Sequence, residues 1–396
     1  MVKFSLVSIP LVSYLLSSYV DAACKNYGDG KSNCPESSPC CYSGYCNSNA
    51  YFCILGNCDP SNSYSPNSCW PKPHCADMNV NFNNPSNLVY KDKFTGEVDS
   101  QIWYAVDEPN YASISGGNLV LQLKPNADLS ATGQGSTVYL SRWVDHGTFT
   151  ASIKSGSVAP GVVSSFIVRN EFGDEIDFEW VGKEPSNVQT NYYFNNELDY
   201  TKMVPSADLG DTSSKFITYT IDWQLDSISW YANGNLIRTV QRSSTWDVTT
   251  GTYKFPDREA QLSFSIWDGG NTGQKGTMDW AGSPTPYSAD TVYSMYINSF
   301  TAKCLYGGNQ TYTPKSSSES SASSDSGTSS SATSTGTSKT ASTTASSSDS
   351  ATDDSVPTDT SASSGSNSSA FSPPSSASTT SVSIVLFVAA IFSALI

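Results

Sequence analysis

Between residues 80 and 305, apolar and polar positions alternate in short runs separated by Gly, Asn and Pro. That period of two is the signature of strands with one face buried. Asn118–Leu123 (NLVLQL), Gly147–Ile153 (GTFTASI), Ile217–Trp223 (ITYTIDW) and Ser227–Tyr231 (SISWY) are rich in β-branched and aromatic residues and predict strands. Asn233-Gly234 supplies the positive-φ pair of a two-residue hairpin, from which the chain returns as Asn235–Val240. No long helical period interrupts the stretch. The all-β pattern, about 225 residues of short strands, predicts one β-sandwich of two curved sheets with a cleft on the concave side.

One strand carries unusual chemistry. Asp174–Trp180 reads DEIDFEW, so period two places Ile176, Phe178 and Trp180 on a buried face and Glu175, Asp177 and Glu179 together on the other. Three like charges on one face repel, and packing alone would favour Thr, Val or Tyr there. Cleavage of a glycosidic bond with retention uses two carboxyl groups about 5 to 5.5 Å apart, one as nucleophile and one as acid. The backbones of Glu175 and Glu179 are about 13 Å apart on an ideal strand, so side-chain reach and sheet curvature must close the gap. Asp177, between them, is placed to hydrogen-bond either neighbour and keep the acid protonated. The alternatives are a solvent-facing acidic strand and a calcium site, although calcium ligands usually come from a loop wrapped around the ion.

The segment EIDFE followed by WVG resembles the catalytic strand of glycoside hydrolase family 16. Val162–Gly182, Thr218–Gly234 and Ser265–Ser283 (SIWDGGNTGQKGTMDWAGS) resemble its fungal Crh branch of cell-wall transglycosylases, over roughly residues 80 to 305. The resemblance implies a jelly-roll sandwich, with Glu175 as nucleophile, Glu179 as acid/base and Asp177 as assisting acid. It further implies sugar binding by Glu179, Arg238, Trp267 and Thr277, and transfer of a chitin donor to a β-glucan acceptor, with no metal or cofactor. Trp267 and Trp280 flank a Gly-rich loop and suit a sugar platform. Trp223 and Trp230 alternate in hairpin strands and are expected in the core. His74 and His146 have no triad or metal-ligand spacing and receive no chemistry. The carboxylates serve transfer and hydrolysis equally, so a chitinase or β-glucanase, and a non-catalytic wall adhesin, stay open beside the transglycosylase.

The ends of the chain bear on location. Residues 1–22 read as a secretory signal, and 381–396 as a terminal apolar segment too short to span a bilayer, preceded by small residues as in a GPI-anchor signal. Residues 307–380 are dominated by Ser and Thr and lack the apolar residues needed to fold, which predicts an O-glycosylated stalk. Asn309-Gln310-Thr311 is an N-glycosylation sequon. A net charge of −15 argues against nucleic acid and anionic lipid as partners and is indifferent to neutral polysaccharide. The expected location is the cell wall and the outer face of the plasma membrane, with a lipid anchor as the sole membrane contact.

All ten cysteines lie in the predicted exported part. Cys24, Cys34, Cys40, Cys41, Cys46, Cys53, Cys58, Cys69 and Cys75 make an odd cluster, so Cys304 is expected to pair with Cys75 or Cys69 and tie residues 76–306 to the module at 23–75. The spacing through Cys58 resembles a hevein-like chitin-binding module of carbohydrate-binding family 18, shortened by one residue after Cys40-Cys41 and with Asn47 in place of Gly. Tyr42, Tyr45 and Tyr51 are its candidate stacking faces. A disulfide knot that only caps or spaces the sandwich is the competing reading.

Overall fold

The computed structural model describes Cys24, residues 34–307 and Tyr312. The leader, Asn309, the Ser/Thr-rich stalk and the C-terminal apolar segment lie outside the described residues. Among the described residues no helix is long and apolar enough to cross a membrane.

Two eight-stranded sheets face each other. One runs, in spatial order, Val204–Pro205, Gln189–Tyr193, Glu175–Val181, Val162–Arg169, Ala260–Asp268, Ser136–Val144, Trp103–Ala105 and Leu88–Tyr90. The opposing sheet runs Asn235–Gln241, Ser227–Ala232, Ile217–Trp223, Gly147–Lys154, Tyr293–Cys304, Asn118–Leu123 and Ala112–Ser115, with Met78–Asn81 paired to Tyr293–Cys304. The alternation that predicted these strands is the alternation in burial: Gly147–Lys154 is buried at every second residue, as is Ile217–Trp223. The Asn233-Gly234 turn has φ of 49° and 76° and joins its two strands as expected.

The core lies between the sheets. Phe166, Phe178, Trp180 and Phe264 from one sheet meet Phe149, Tyr219, Trp223 and Trp230 from the other, each essentially inaccessible to water. The indole N–H of Trp180 donates to the Tyr219 hydroxyl and that of Trp223 to the Pro256 carbonyl, which settles polar groups that would otherwise be buried without partners. Trp223 and Trp230 are thus packing residues. The Trp230 indole N–H reaches across to the backbone carbonyl of Asp177 at 3.0 Å, so the opposing sheet helps fix the strand that bears the acids.

All ten cysteines are paired: Cys24–Cys41, Cys34–Cys46, Cys40–Cys53, Cys58–Cys69 and Cys75–Cys304. Four bridges staple the small N-terminal module, and the fifth ties it to the last strand. The module does not stand free. Ala50 and Ile54 share a buried cluster with Phe94, Val98, Tyr104, Val106 and Trp143 of the sandwich. Tyr51, expected as a free stacking face, instead meets Tyr104 edge-on at 5.5 Å. Tyr42 packs edge-on against Tyr51 and Phe52, while Tyr45 alone of the three is exposed. The displacement of Tyr51 has a simple cause: a large half-apolar ring gains more from burial against another aromatic surface than from hydration.

Candidate active site

The strand Glu175–Val181 is positioned by the turn that precedes it. The Asn170 side-chain carbonyl accepts from the backbone N–H groups of Phe172 and Asp174, each at 3.0 Å. Asp174, buried, accepts from Arg258 Nε at 2.6 Å, from a second guanidinium N–H of Arg258, and from the Asn195 N–H at 2.9 Å. Gly173 has φ of 83°, and a Cβ there would fall 2.5 Å from Asn196 Cβ, so the turn admits glycine alone. With the turn fixed, the register follows: Glu175, Asp177 and Glu179 stand opposite Arg169, Ile167 and Ser165 on one side and Tyr193, Asn191 and Gln189 on the other.

The three acids share one face, as the alternation predicts, while Ile176, Phe178 and Trp180 enter the core. The face is not a solvated one. Glu175 is 6% and Asp177 1% exposed, and Glu179 is half-buried. Arg169 donates one guanidinium N–H to Glu175 Oε2 and another to Asn196 Oδ1 at 3.1 Å. Burial, reinforced by the charge of Glu175, pushes the Glu179 carboxyl up to about 8. Burial first, then the charges of Glu179 and Glu175, raise the Asp177 carboxyl well above the usual carboxylate range. Its Oδ2 has no hydrogen-bond partner among the described residues. The arrangement therefore holds Glu175 in an ion pair beside two carboxyls that burial and neighbouring charge raise above the ordinary range.

The remaining expected residues divide. Trp267 stands on this face, two residues beyond Ser265, which lies opposite Ser165. Its ring stacks on Trp280 at 5.9 Å, and Trp280 donates its indole N–H at 2.7 Å to Gln189, the residue opposite Glu179. Asp268 holds the adjoining Gly-rich loop by accepting from the N–H groups of Gly133, Gly270 and Asn271. Thr277 and Trp280 lie on a short helix, Lys275–Ala281, where an all-β reading had no helix. Arg238 approaches from the other sheet, near enough for its charge to act on Asp177. It projects from the opposing sheet, its guanidinium 4.4 Å from the Trp230 ring and 5.9 Å from that of Tyr192, donating to the Lys202 carbonyl at 2.6 Å. Tyr192 is opposite Ile176, so Arg238 packs on the interior side of the sheet that bears the acids. His74 contacts Glu259, and His146 contacts Asp145 while stacking on Trp223; neither joins the acids.

Sequence reasoning missed Arg169, Tyr193 and Tyr200. Arg169 could have been found by folding Val162–Arg169 back on Glu175–Val181 as a hairpin, which sets it opposite Glu175. Tyr193 sits across from Glu175, and the exposed Tyr200 lies edge-on to it at 6.3 Å. Burial and then the nearby acid charges raise both phenols, which places the two rings beside the acids.

Residues 101–282 match the profile of Glycosyl hydrolases family 16. The chain carries a family 16 domain. The chain is 33% identical over 297 residues to Crh-like protein 2 of Aspergillus fumigatus, covering 73% of this chain and 63% of that protein. It is 33% identical over 304 residues to Congo red hypersensitive protein 2 of Saccharomyces cerevisiae, covering 72% and 62%. The chain thus spans somewhat less than two thirds of the length of these relatives. Among solved structures it is similar to apo Crh5 transglycosylase, with a TM-score of 0.49 and 24% identity over 60% of this chain and 88% of that one.

Proposed function

We propose that this chain is a retaining cell-wall transglycosylase that cuts a β-1,4-linked chitin donor and joins it to a β-glucan acceptor. The observation that carries the reading is the ion-paired Glu175 set two residues from a buried Asp177 and four from a Glu179 pushed up to about 8. The Glu175 carboxylate attacks the anomeric carbon as Glu179 gives its proton to the departing oxygen, leaving a glycosyl ester on Glu175. Glu179, now a carboxylate, takes the proton of an incoming sugar hydroxyl, whose oxygen displaces Glu175 and restores both groups. Asp177, whose carboxyl is raised by burial and by its two glutamate neighbours, takes the part of the assisting acid as charge moves between them. Trp267 and Trp280 offer flat faces for pyranose rings beside Glu179.

Chitin and β-glucan are the donor and acceptor implied by the resemblance to the Crh branch, and the relatives' names agree with that branch. The leader, the stalk glycosylated at Asn309 and elsewhere, and the anchor signal complete the reading of a protein held at the cell wall. Incubating the purified protein with chitin oligosaccharides and a fluorescent β-1,3-glucan oligosaccharide tests it. Labelled hybrid product supports transfer, new reducing ends without hybrids mean hydrolysis, and neither means a binding protein. Glu175→Gln is expected to abolish turnover with the fold and melting temperature retained; residual transfer by that variant refutes the nucleophile assignment.

A further inference from the structure

The cross-strand register lays a continuous row of side chains across the sheet that bears the acids. Asp177 is opposite Ile167, Ile167 opposite Ser263, Ser263 opposite Tyr139, and Tyr139 opposite Tyr104. A parallel row runs from Glu175 through Arg169 and Gln261 to Trp143. Both rows end under the cysteine-rich module. Tyr51 of the module packs on Tyr104, and Gly56 lies so close to Trp143 that a Cβ would fall 2.9 Å from its indole nitrogen. Lys72 lies 5.9 Å over the Trp143 ring and ion-pairs with Glu259 at 3.2 Å. The third row, Glu179 to Ser165, Ser265 and Thr137, has small side chains after the glutamate.

Hydroxyl and amide groups converge where the module meets the first row. Gln261 Nε2 donates at 2.7 Å to the Tyr104 hydroxyl, and Asn57 Nδ2 donates at 2.8 Å to the Tyr51 backbone carbonyl. Tyr42 meets Tyr51 edge-on at 5.4 Å, Tyr51 meets Tyr104 at 5.5 Å, and Tyr104 stacks on Tyr139 at 5.8 Å, so the four rings run in one chain. Tyr42, Asn57, Tyr139 and Gln261 are each half-buried, so each keeps a face toward water. Aromatic rings edged with hydroxyls and amides match the alternating apolar faces and equatorial hydroxyls of a β-linked sugar chain.

The geometry points to the module as a wall of the catalytic groove: Tyr42 and Asn57, with Tyr139 and Gln261, form a distal subsite for the polysaccharide that Glu175 and Glu179 cleave. At a strand spacing of about 4.8 Å, Tyr139 is about 14 Å from Asp177, room for about three sugar rings between the cut bond and this subsite. The module then reads the length of the sugar chain in the enzyme's own groove, instead of binding wall polymer on an independent outer face. The inference rests on the carbohydrate-cleaving reading above.

The test uses the whole protein with chitin oligosaccharides of increasing length, scoring labelled hybrids and reducing ends together. Tyr42→Ala and Asn57→Ala should raise KM for long donors by about threefold to tenfold, the loss carried by one hydrogen bond, and leave kcat and short donors unchanged. Tyr45→Ala, on the exposed side of the module, should change neither. Equal effects at every donor length, no effect of either groove variant, or a rise in KM from Tyr45→Ala would each overturn the inference. Wild-type protein that turns over no donor at all would instead remove the enzymatic reading beneath it.

Discussion

At the scale of single residues, the site works by unequal treatment of similar groups. Glu175 and Glu179 have the same side chain, yet only Glu175 is met by a guanidinium, while Glu179 is raised by burial and by its neighbour's charge. Arg169→Met should lower kcat by about tenfold to a hundredfold, as expected for loss of a charge-assisted hydrogen bond that orients the nucleophile, with KM changed less. Rates for Arg169→Lys should recover part of the loss. The Glu179 proton is held up to about pH 8, so kcat/KM should fall as pH rises through that range, as read from a pH–rate profile of the wild-type protein. Stability has the same sign. Between its ordinary value of 4.5 and about 8, the folded protein binds a proton that the unfolded chain has released, so this group makes stability fall as pH rises through that window. Glu179→Gln should therefore melt higher than wild type at pH 8, and the gap should close toward pH 4, as followed by thermal unfolding.

At the scale of elements, the acid strand is fixed from both sides of the sheet. Phe178 is fully buried between Phe166, Trp180 and Tyr219, so Phe178→Ala should cost about 3 to 5 kcal/mol in urea unfolding, for lost burial and the cavity left behind. This level was well written in the chain. Alternation in Ile217–Trp223 gave that strand to the residue, since a face in water and a face in the core impose the period of two directly. The helix Lys275–Ala281 was not legible: it has one helical face only because Ala281 enters the small cluster of Val163 and Val181, a contact made by distant strands. The packing of Arg238 was illegible for a related reason: local pattern says which face of its strand it leaves, but not that the strand is an edge where a guanidinium can lie across Trp230.

At the scale of the whole molecule, the module and the sandwich form one arrangement through Cys75–Cys304, the Pro73 carbonyl accepting from the Trp143 N–H at 2.8 Å, and Tyr51 against Tyr104. The odd count of cysteines before residue 76 made the long bridge legible, because nine cannot pair among themselves. The docking of Tyr51 was invisible, since it depends on two surfaces brought together only after folding. Cys75→Ser with Cys304→Ser should lower stability by about 2 to 5 kcal/mol, chiefly by freeing the unfolded chain, and should leave the four module bridges intact by mass mapping.

The same bridge closes a covalent ring between residues 229 apart, and the whole sandwich lies within it. Tension on the polypeptide outside that ring is carried from Cys304 to Cys75 through sulfur, bypassing the sheets. Stretched in a force-measuring instrument, the oxidised protein should lengthen only by polypeptide outside residues 75–304, and the segment bearing Glu175 and Glu179 should extend only after a reductant is added.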